Sequence, residues 1–293
     1  MRVLVAGSSG LIGSALTTAL RSHGTDVARL VRREARNPDE FSWDPENFGA
    51  PAEAFDGVDA VVSLCGVGVG DRPWSGHFRQ ELRDSRITPT QVLAEAIAES
   101  DVPVFLSASA TGFYGDTGDE PATEDTGAGS GFLADLAVDW EAATAPATEH
   151  ARVVRLRTGP VLSPRGGFLA RLRPVVKAGL GGRLGDGRQF LPWISLRDEV
   201  AAIEFLLTAP GVAGPVNLTA PIPVRFNEFI NTYGAVLHRP TRLPVPATAL
   251  RLLGGDMAKE MILGSSRVVP DVLNHAGFEF TDQTLPDALA WTH

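Results

Sequence analysis

The sequence predicts an α/β fold, a doubly wound parallel sheet with a smaller mixed α/β lobe at its C-terminal side. Three observations lead to this prediction. Short apolar runs alternate with helical segments over the first 165 residues, as in a parallel sheet with crossover helices. A glycine triplet joins the first apolar run to the first helix. Beyond residue 166, segments rich in glycine and proline interrupt that alternation, which indicates a separate lobe.

The change at residue 166, from alternating strands and helices to segments rich in glycine and proline, also predicts the domain organisation. We expect residues 1–165 to form the sheet domain, with residues 190–210 returning to it. Residues 166–293 are expected to form the smaller lobe, which ends in a tail of about residues 240–293. A chain of 293 residues is long enough to bury a full α/β core and to carry such a lobe.

Composition excludes several classes of protein. The net charge of −9 argues against a nucleic-acid partner, which needs a basic face. No apolar stretch approaches the length that spans a bilayer, and Arg2 leads straight into a strand instead of an apolar leader. The single cysteine, Cys65, excludes an internal disulfide. We therefore expect a cytoplasmic protein that acts on a small molecule, without a membrane, nucleic-acid or metal partner.

The motif Gly7-x-x-Gly10-x-x-Gly13 follows the apolar strand Val3 to Ala6 and opens a helix from Leu11 to about His23. Because its glycines carry no side chains, the turn lets a diphosphate approach backbone N–H groups and the positive end of the helix. This placement predicts a dinucleotide site in a Rossmann fold, where an unliganded glycine turn is uncommon. The predicted contacts are Gly7, Ser8, Ser9, Gly10, Leu11, Ile12 and Gly13.

The second strand, Asp26 to Val31, ends in Arg32-Arg33. In a dinucleotide fold this end of the strand lies beside the adenosine ribose, where a carboxylate selects NAD. Here two guanidiniums follow the strand, and guanidiniums bind phosphate through charge-assisted bonds. We therefore predict that Arg32 and Arg33 favour NADP(H); the alternative is a pair of solvated surface arginines.

Further elements follow in the order that a doubly wound sheet requires. Their expected ranges are a strand at 41–44, a strand at 60–64, a helix at 74–99 interrupted near Pro89, a strand at 103–109, a helix at 132–144 and a strand at 152–157. In the C-terminal part they are a strand at 190–196, a helix at 198–207, a strand at 216–219 and an amphipathic helix at 226–237.

The carboxyl ends of the predicted strands add further candidates, because ligands gather at that edge of an open α/β sheet. The predicted strand at 60–64 ends at Leu64, Cys65 and Gly66, and we interpret Cys65 as a structural thiol because no partner can be placed beside it. The following strand ends in Ser107, Ala108 and Ser109, just before a glycine-containing loop with Tyr114.

These motifs resemble the extended short-chain dehydrogenase/reductases of the nucleotide-sugar epimerase kind. The pieces that carry this resemblance include the glycine triplet, Asp59 to Gly66, Ser107 to Gly115, Arg157 to Val161 and Trp193 to Asp198. The chain is more narrowly similar to an atypical branch named "epimerase family protein", which has a C-terminal domain of unknown function. Asp71-Arg-Pro-Trp74, Gly112 to Asp116, Gly182 to Gly187 and Arg267-Val-Val-Pro270 carry this narrower match.

The resemblance implies more contacts and a state of assembly. It adds Arg86, Thr158, Gly159 and Val161 to the expected cofactor site. It also implies a homodimer that pairs through two long helices of the sheet domain.

The superfamily's chemistry uses a Tyr-x-x-x-Lys pair on the helix that follows the serine-containing strand, and this chain lacks it. Its only tyrosines are Tyr114 and Tyr233. The corresponding helix positions hold Phe132 or Leu133, and Leu136 or Ala137, none of which carries a titratable proton. Ser109 corresponds to the superfamily's serine, and Tyr114 is the best remaining candidate for the acid.

Three interpretations stay open at this point. The chain is an NADP-dependent oxidoreductase or epimerase on a small carbonyl or sugar-type substrate, with Ser109 and Tyr114 as catalytic residues. Alternatively, it binds NADP(H) without catalysis, as a sensor or a partner-binding protein. In the third interpretation, it is a scaffold whose nucleotide site is vestigial.

Overall fold

The computed structural model describes residues 1–292, apart from the side chain of Leu253. Its strands are β1 (Arg2–Ala6), β2 (Asp26–Val31), β3 (Glu40–Ser42), β4 (Ala60–Ser63), β5 (Val104–Ala110), β6 (Pro121–Ala122), β7 (Arg152–Thr158), β8 (Val161–Ser163), β9 (Phe190–Leu191), β10 (Ile194–Ser195), β11 (Gly214–Leu218), β12 (Val224–Arg225) and β13 (Arg267–Val268). Its helices are α1 (Leu11–Ser22), α2 (Gly76–Ala98), α3 (Phe132–Ala142), α4 (Gly167–Lys177), α5 (Leu196–Thr208), α6 (Phe226–Val236), α7 (Ala247–Ala258), α8 (Asp271–His275) and α9 (Leu285–Ala290).

Seven strands form the central sheet in the order β11-β7-β5-β4-β1-β2-β3. The pairs that β1 makes with β2 and β4 are parallel, as are the pairs β2–β3 and β4–β5. The chain begins in the middle of the sheet and winds outward in both directions, which is the doubly wound arrangement. The predicted fold class is confirmed.

The chain divides into two compact units. The first comprises residues 1–109, 136–156 and 200–216 and holds most of the sheet. Val3, Leu4 and Val5 are fully buried in β1, as expected of a parallel strand covered on both faces. Helix α1 buries Gly13, Leu16, Thr17 and Leu20, a set with helical spacing that forms a single face.

The second unit comprises residues 110–135, 157–199 and those from Asn217 onwards. Its core is organised by α6, whose residues Phe226, Phe229, Ile230 and Tyr233 are buried beside Trp193. This burial agrees with the amphipathic pattern of the predicted helix. The predicted domain limits at 165 and 166 stay a prediction, and His293 lies outside the described residues.

The structure differs from the sequence prediction along α2. The helix is continuous through Pro89, although proline removes one backbone hydrogen bond. The flanking residues Phe78, Leu82, Leu93 and Ile97 are all buried, so packing on both sides outweighs that loss. The predicted strand at 190–196 is two short strands, β9 and β10. None of the helices formed by residues 1–292 is both long and apolar enough to cross a lipid bilayer.

Candidate functional site

A cleft of about 730 Å³ lies in the first unit beside the glycine loop. Nine of the predicted cofactor residues line it: Gly7, Ser8, Ser9, Gly10, Arg32, Arg33, Leu64, Cys65 and Gly66. Lining residues that the sequence did not indicate are Arg29, Leu30, Val31, Trp43, Pro45, Glu46, Val67, His77, Gln80, Glu81, Asp84, Ser85 and Pro89. The structure therefore brings the ends of β1, β2 and β4 together in one concave surface.

The glycine loop depends on backbone geometry that other residues do not allow. Gly7 has φ of +79°, and a Cβ there would lie 2.6 Å from the Leu64 carbonyl oxygen. A Cβ on Gly13 would collide with the Gly7 carbonyl group. Gly10 is the N-cap of α1 and provides no side-chain cap, so N–H groups of the first helical turn lack a side-chain acceptor. This turn is a ready anion site, and Leu11 and Ile12 belong to it.

Arg32 and Arg33 have different surroundings at the end of β2. Arg33 donates to both carboxylate oxygens of Glu40, at 2.8 and 2.7 Å. Arg32 is exposed and lines the cleft, and among residues 1–292 it has neither a hydrogen bond nor an ion pair. Arg32 is thus the guanidinium available to an anionic ligand, whereas Arg33 is already held by a carboxylate.

Glu40 was not identified from the sequence, and it organises this corner of the cleft. Its carboxylate also pairs with Arg29 at 2.9 Å and accepts the Arg36 backbone N–H at 2.8 Å. The hydrogen bond from Arg33, together with that from Arg36, lowers the pKa of Glu40 to about 2. The partnership arises because β2 and β3 pair with Arg29 opposite Glu40, a register that no local motif encodes.

Behind the end of β4, Arg86 supports the loop that lines the cleft. Its guanidinium donates to the carbonyl oxygens of Val67, at 2.8 Å, and Leu82, at 3.1 Å. It also lies over the Trp140 ring, 5.2 Å from the centroid. Burial lowers the pKa of Arg86 to about 10, so the group remains charged at neutral pH. Arg86 does not itself line the cleft, and it acts on the site by holding Val67.

Cys65 lines the cleft as a neutral thiol. Burial raises its pKa to about 11, and a hydrogen bond with Ser63 and the nearby charge of Arg32 offset only part of that rise. A thiol with this pKa is a poor nucleophile at neutral pH.

The end of β5 carries Ser107, Ala108 and Ser109. Ser107 lies opposite Ser63 in the sheet, so these residues follow the same carboxyl edge as the end of β4. The Ser109 hydroxyl donates a 2.7 Å hydrogen bond to Oε1 of Glu141, and both side chains are buried. The sequence placed Glu141 on a helix but gave no sign of this partner, which lies 32 residues from Ser109.

In the second unit, Tyr114 is part of a buried polar network. Its hydroxyl donates to Oδ1 of Asn217 at 2.7 Å and accepts from Nη1 of Arg157 at 2.8 Å. The guanidinium of Arg157 also stacks on the Phe113 ring, 3.5 Å from the centroid. Tyr114 is only 2% exposed, and burial raises its pKa. The phenol is therefore neutral at pH 7, and its proton is held by Asn217.

Asn217 connects this network to two other segments of the same unit. Its side chain donates to the Val269 carbonyl oxygen at 2.9 Å, and its backbone N–H donates to Glu124 at the same distance. Burial raises the pKa of Glu124. The network thus joins Arg157, Tyr114, Asn217 and Glu124 by hydrogen bonds.

Thr158, Gly159 and Val161 also lie in the second unit. The Thr158 hydroxyl donates to Oε1 of Glu199 at 2.9 Å, and burial raises the pKa of Glu199 to about 8. A Cβ on Gly159 would collide with the Pro192 carbonyl oxygen, which explains why glycine is needed there. Val161 pairs with Ile194 in a short parallel ladder.

Helix α3 begins at Phe132, where the superfamily's pair of titratable residues is absent. The backbone N–H groups of Phe132 and Leu133 donate to the carboxylate of Glu260, at 3.1 and 2.9 Å. Leu136 and Ala137 are buried. This helix is anchored by a carboxylate from the tail instead of presenting a tyrosine and a lysine. Among the described residues, no group of three or more His, Cys, Asp or Glu side chains is arranged to hold a metal ion.

Comparisons with known proteins extend over the whole chain. Residues 3–218 match the model of the NAD dependent epimerase/dehydratase family, and residues 245–292 match a domain of unknown function, DUF1731. An epimerase family protein of Mycobacterium bovis is 51% identical over 290 residues, which cover 99% of this chain and 96% of the relative.

Two solved structures are similar in fold and in sequence. The human epimerase family protein SDR39U1, crystallised with NADPH, has a TM-score of 0.91 and 32% identity, covering 100% of this chain and 99% of the human one. A nucleoside-diphosphate sugar epimerase from Corynebacterium glutamicum has a TM-score of 0.82 and 34% identity, covering 99% of this chain and 58% of that protein.

Proposed function

This chain belongs to the NAD dependent epimerase/dehydratase family, and we propose that it binds NADP(H) in the cleft of the first unit. The observation that carries the proposal is Arg32, which lines the cleft and makes no ion pair or hydrogen bond with another described residue. The human relative, whose crystal structure contains NADPH, supports the choice of cofactor. In this proposal the glycine loop receives the diphosphate and Arg32 receives the 2′-phosphate.

A thermal-shift comparison of NADPH with NADH tests the cofactor. A ligand that binds only the folded state raises its stability, so NADPH at equal concentration should raise Tm more than NADH. Arg32→Gln should reduce the NADPH shift and leave the NADH shift unchanged, whereas Arg36→Gln, an exposed neighbour, is the matched control. Equal shifts with the two cofactors in the wild type would contradict the role of Arg32.

We further propose that the protein is an oxidoreductase or epimerase acting on a small carbonyl or sugar-type substrate. NADPH would supply the hydride to the carbonyl carbon, and a protein hydroxyl would supply the proton to the oxygen. Ser109 is the first candidate, because it lies at the carboxyl edge of the sheet, and its proton would have to leave Glu141. Tyr114 is the second candidate, and its proton would have to leave Asn217.

Single-turnover oxidation of NADPH with a panel of aldehydes, ketones and nucleotide sugars tests the reaction. Ser109→Ala should slow the hydride step with any substrate that turns over, while NADPH binding is retained. Tyr114→Phe discriminates the second candidate: a slower hydride step supports Tyr114 as the acid, and an unchanged rate assigns its hydroxyl to the buried network alone.

An alternative function is non-catalytic, with NADP(H) binding used to sense redox state or to regulate a partner. The favouring observation is α3, where Phe132, Leu133, Leu136 and Ala137 occupy the positions at which the superfamily carries its acid/base pair. In that case no substrate of the panel turns over, and a cellular partner binds differently in NADPH and in NADP⁺. Identical partner binding in the two cofactor states would contradict this alternative.

The location and assembly remain predictions. A cytoplasmic homodimer is expected from the single cysteine and from the resemblance, and light scattering of the purified protein measures its mass.

A further inference from the structure

A second pocket, of about 450 Å³, lies in the second unit beside helix α4. None of its residues lines the cleft beside the glycine loop (the nucleotide cleft), and none belongs to the buried network of Tyr114. Among the described residues it is lined by Ser163, Pro164, Arg165, Leu169, Ala170, Arg173, Pro174, Lys177, Tyr233 and Thr292. We call it the α4 pocket.

Three cations line the α4 pocket without any acidic residue among the described lining. Arg173 and Lys177 are four residues apart on α4, so they share one face of the helix, and Arg165 precedes the helix. Like charges at this spacing destabilise a helix. Within residues 1–292 none of the three is in an ion pair. This concentration of positive charge is unexpected on a chain whose net charge is −9.

Arg173 provides the second observation. Its Nε atom is buried and has no hydrogen-bond partner among the described residues. A buried donor without an acceptor destabilises the fold, so an acceptor supplied by a ligand would relieve that loss. The guanidinium also lies close enough to Tyr233 to oppose the rise that burial causes in the pKa of that phenol. The Arg173 guanidinium and the Tyr233 hydroxyl therefore lie near each other in a pocket whose described lining has no carboxylate to accept a hydrogen bond.

Apart from Ser163, Tyr233 and Thr292, the remaining lining is apolar. Leu169 is buried on the same helical face as Arg173, and Pro164, Ala170 and Pro174 complete that part of the surface. A ligand that satisfies both parts needs an anionic head and a compact apolar body. Three cations with no lining carboxylate favour a doubly charged head over a single carboxylate.

We propose that the α4 pocket binds a small organic phosphate monoester, with the phosphate held by Arg173 and Lys177 and the apolar body against Leu169. Arg165 closes the phosphate side, and Nε of Arg173 gains the acceptor that the protein does not supply. The site is separate from the nucleotide cleft, because every lining residue belongs to the second unit.

Isothermal titration calorimetry with phenyl phosphate tests the proposal on the full chain. Phenyl phosphate should bind at one site, and phenol or inorganic phosphate, each lacking half of the ligand, should bind about tenfold more weakly or worse. Benzoate separates a general anion site from a phosphate site, and affinity equal to that of phenyl phosphate would overturn the phosphate assignment.

Three variants locate the binding. The double variant Arg173→Gln/Lys177→Gln should weaken phenyl phosphate about tenfold or more, and Arg242→Gln, which removes a charge from an exposed position outside the pocket, should change nothing. Lys177→Gln alone, at an exposed side chain, gives a smaller loss and keeps the test valid if the double variant does not fold. Equal affinity in wild type and these α4 variants, or absence of binding in the wild type, would overturn the proposal. Loss of binding in Arg32→Gln would also overturn it, because phenyl phosphate would then occupy the nucleotide cleft.

Discussion

The two units bury glutamate side chains in opposite ways. In the first unit, Glu40 is held by Arg33, Arg29 and a backbone N–H group, and its pKa falls to about 2. In the second unit, burial raises the pKa of Glu199 to about 8, with only the Thr158 hydroxyl to oppose the rise. The first arrangement keeps charge in place around a ligand site, and the second keeps a polar group neutral inside the fold. The two carboxyl groups therefore contribute with opposite sign to the pH dependence of folding stability.

The two sites also differ in how their positively charged side chains are balanced by acidic residues. The nucleotide cleft mixes its arginines with Glu46, Glu81 and Asp84, so part of its positive charge is balanced before a ligand arrives. The α4 pocket has three cations and no acidic residue among its described lining. The first site combines backbone geometry of the glycine loop with arginine side chains, whereas the second consists of side chains. A substitution that alters the backbone should consequently affect the first site far more than the second.

The largest effect is expected from Gly13→Val. Its side chain would collide with the Gly7 carbonyl group and displace the glycine loop, which no rotamer change can avoid. NADPH affinity should fall by about 100-fold or more, a loss of roughly 3 kcal/mol, while phenyl phosphate binding to the α4 pocket should persist. Gly76→Ala is the control, because a Cβ there meets nothing within 4 Å. Retained NADPH affinity in Gly13→Val would show that the loop does not contact the cofactor.

Glu199→Gln should reveal the neutral carboxyl of the second unit. Between the ordinary value of 4.5 and about 8, the folded protein holds a proton that the unfolded chain has released. Wild-type stability should therefore decline as pH rises through this interval, by at most about 1.4 kcal/mol per pH unit. The glutamine variant lacks this decline, so urea unfolding should show its advantage growing from pH 5 to 8 and then levelling off. Glu228→Gln, at an exposed position of the same unit, should follow the wild type.

Glu40→Gln tests the opposite sign in the first unit. Because the folded-state pKa of Glu40 is depressed, its contribution to stability is present above about 4.5 and is lost as pH falls towards 2. The variant should be less stable than wild type at pH 7, and the difference measured by urea unfolding should shrink at pH 3. A constant difference across that range would mean that the carboxylate charge is not what stabilises this corner.

Glu260→Ala should give the smallest effect. It removes the acceptor for two N–H groups at the start of α3, at a cost of about 1 kcal/mol. Lys259→Ala, at the exposed neighbouring position, should cost less. Chemical unfolding monitored by circular dichroism compares the two. A loss no larger than that of the control would mean that solvent replaces Glu260 fully.

The sequence indicates the glycine loop and Arg32, which line the nucleotide cleft, because these features are local. Glycine spacing and the residue type after a strand are readable within a dozen positions, as the loop after β1 and Arg32 illustrate. The partnership of Arg33 with Glu40 depends on the register between β2 and β3. The Tyr114–Asn217 contact spans 103 residues, and the α4 pocket combines a loop, two helices and Thr292, which follows α9. Such contacts follow from tertiary packing, which leaves no short motif.

Glu260 also connects the two segments of the chain that match different family models. It lies in the segment that matches the domain of unknown function, and it holds the start of a helix in the segment that matches the epimerase family. Any tail that lacked a carboxylate at position 260 would leave two backbone donors at that helix start without their acceptor. The donors themselves are backbone groups, so the contact depends on the residue type in the tail and not on the side chains of the helix.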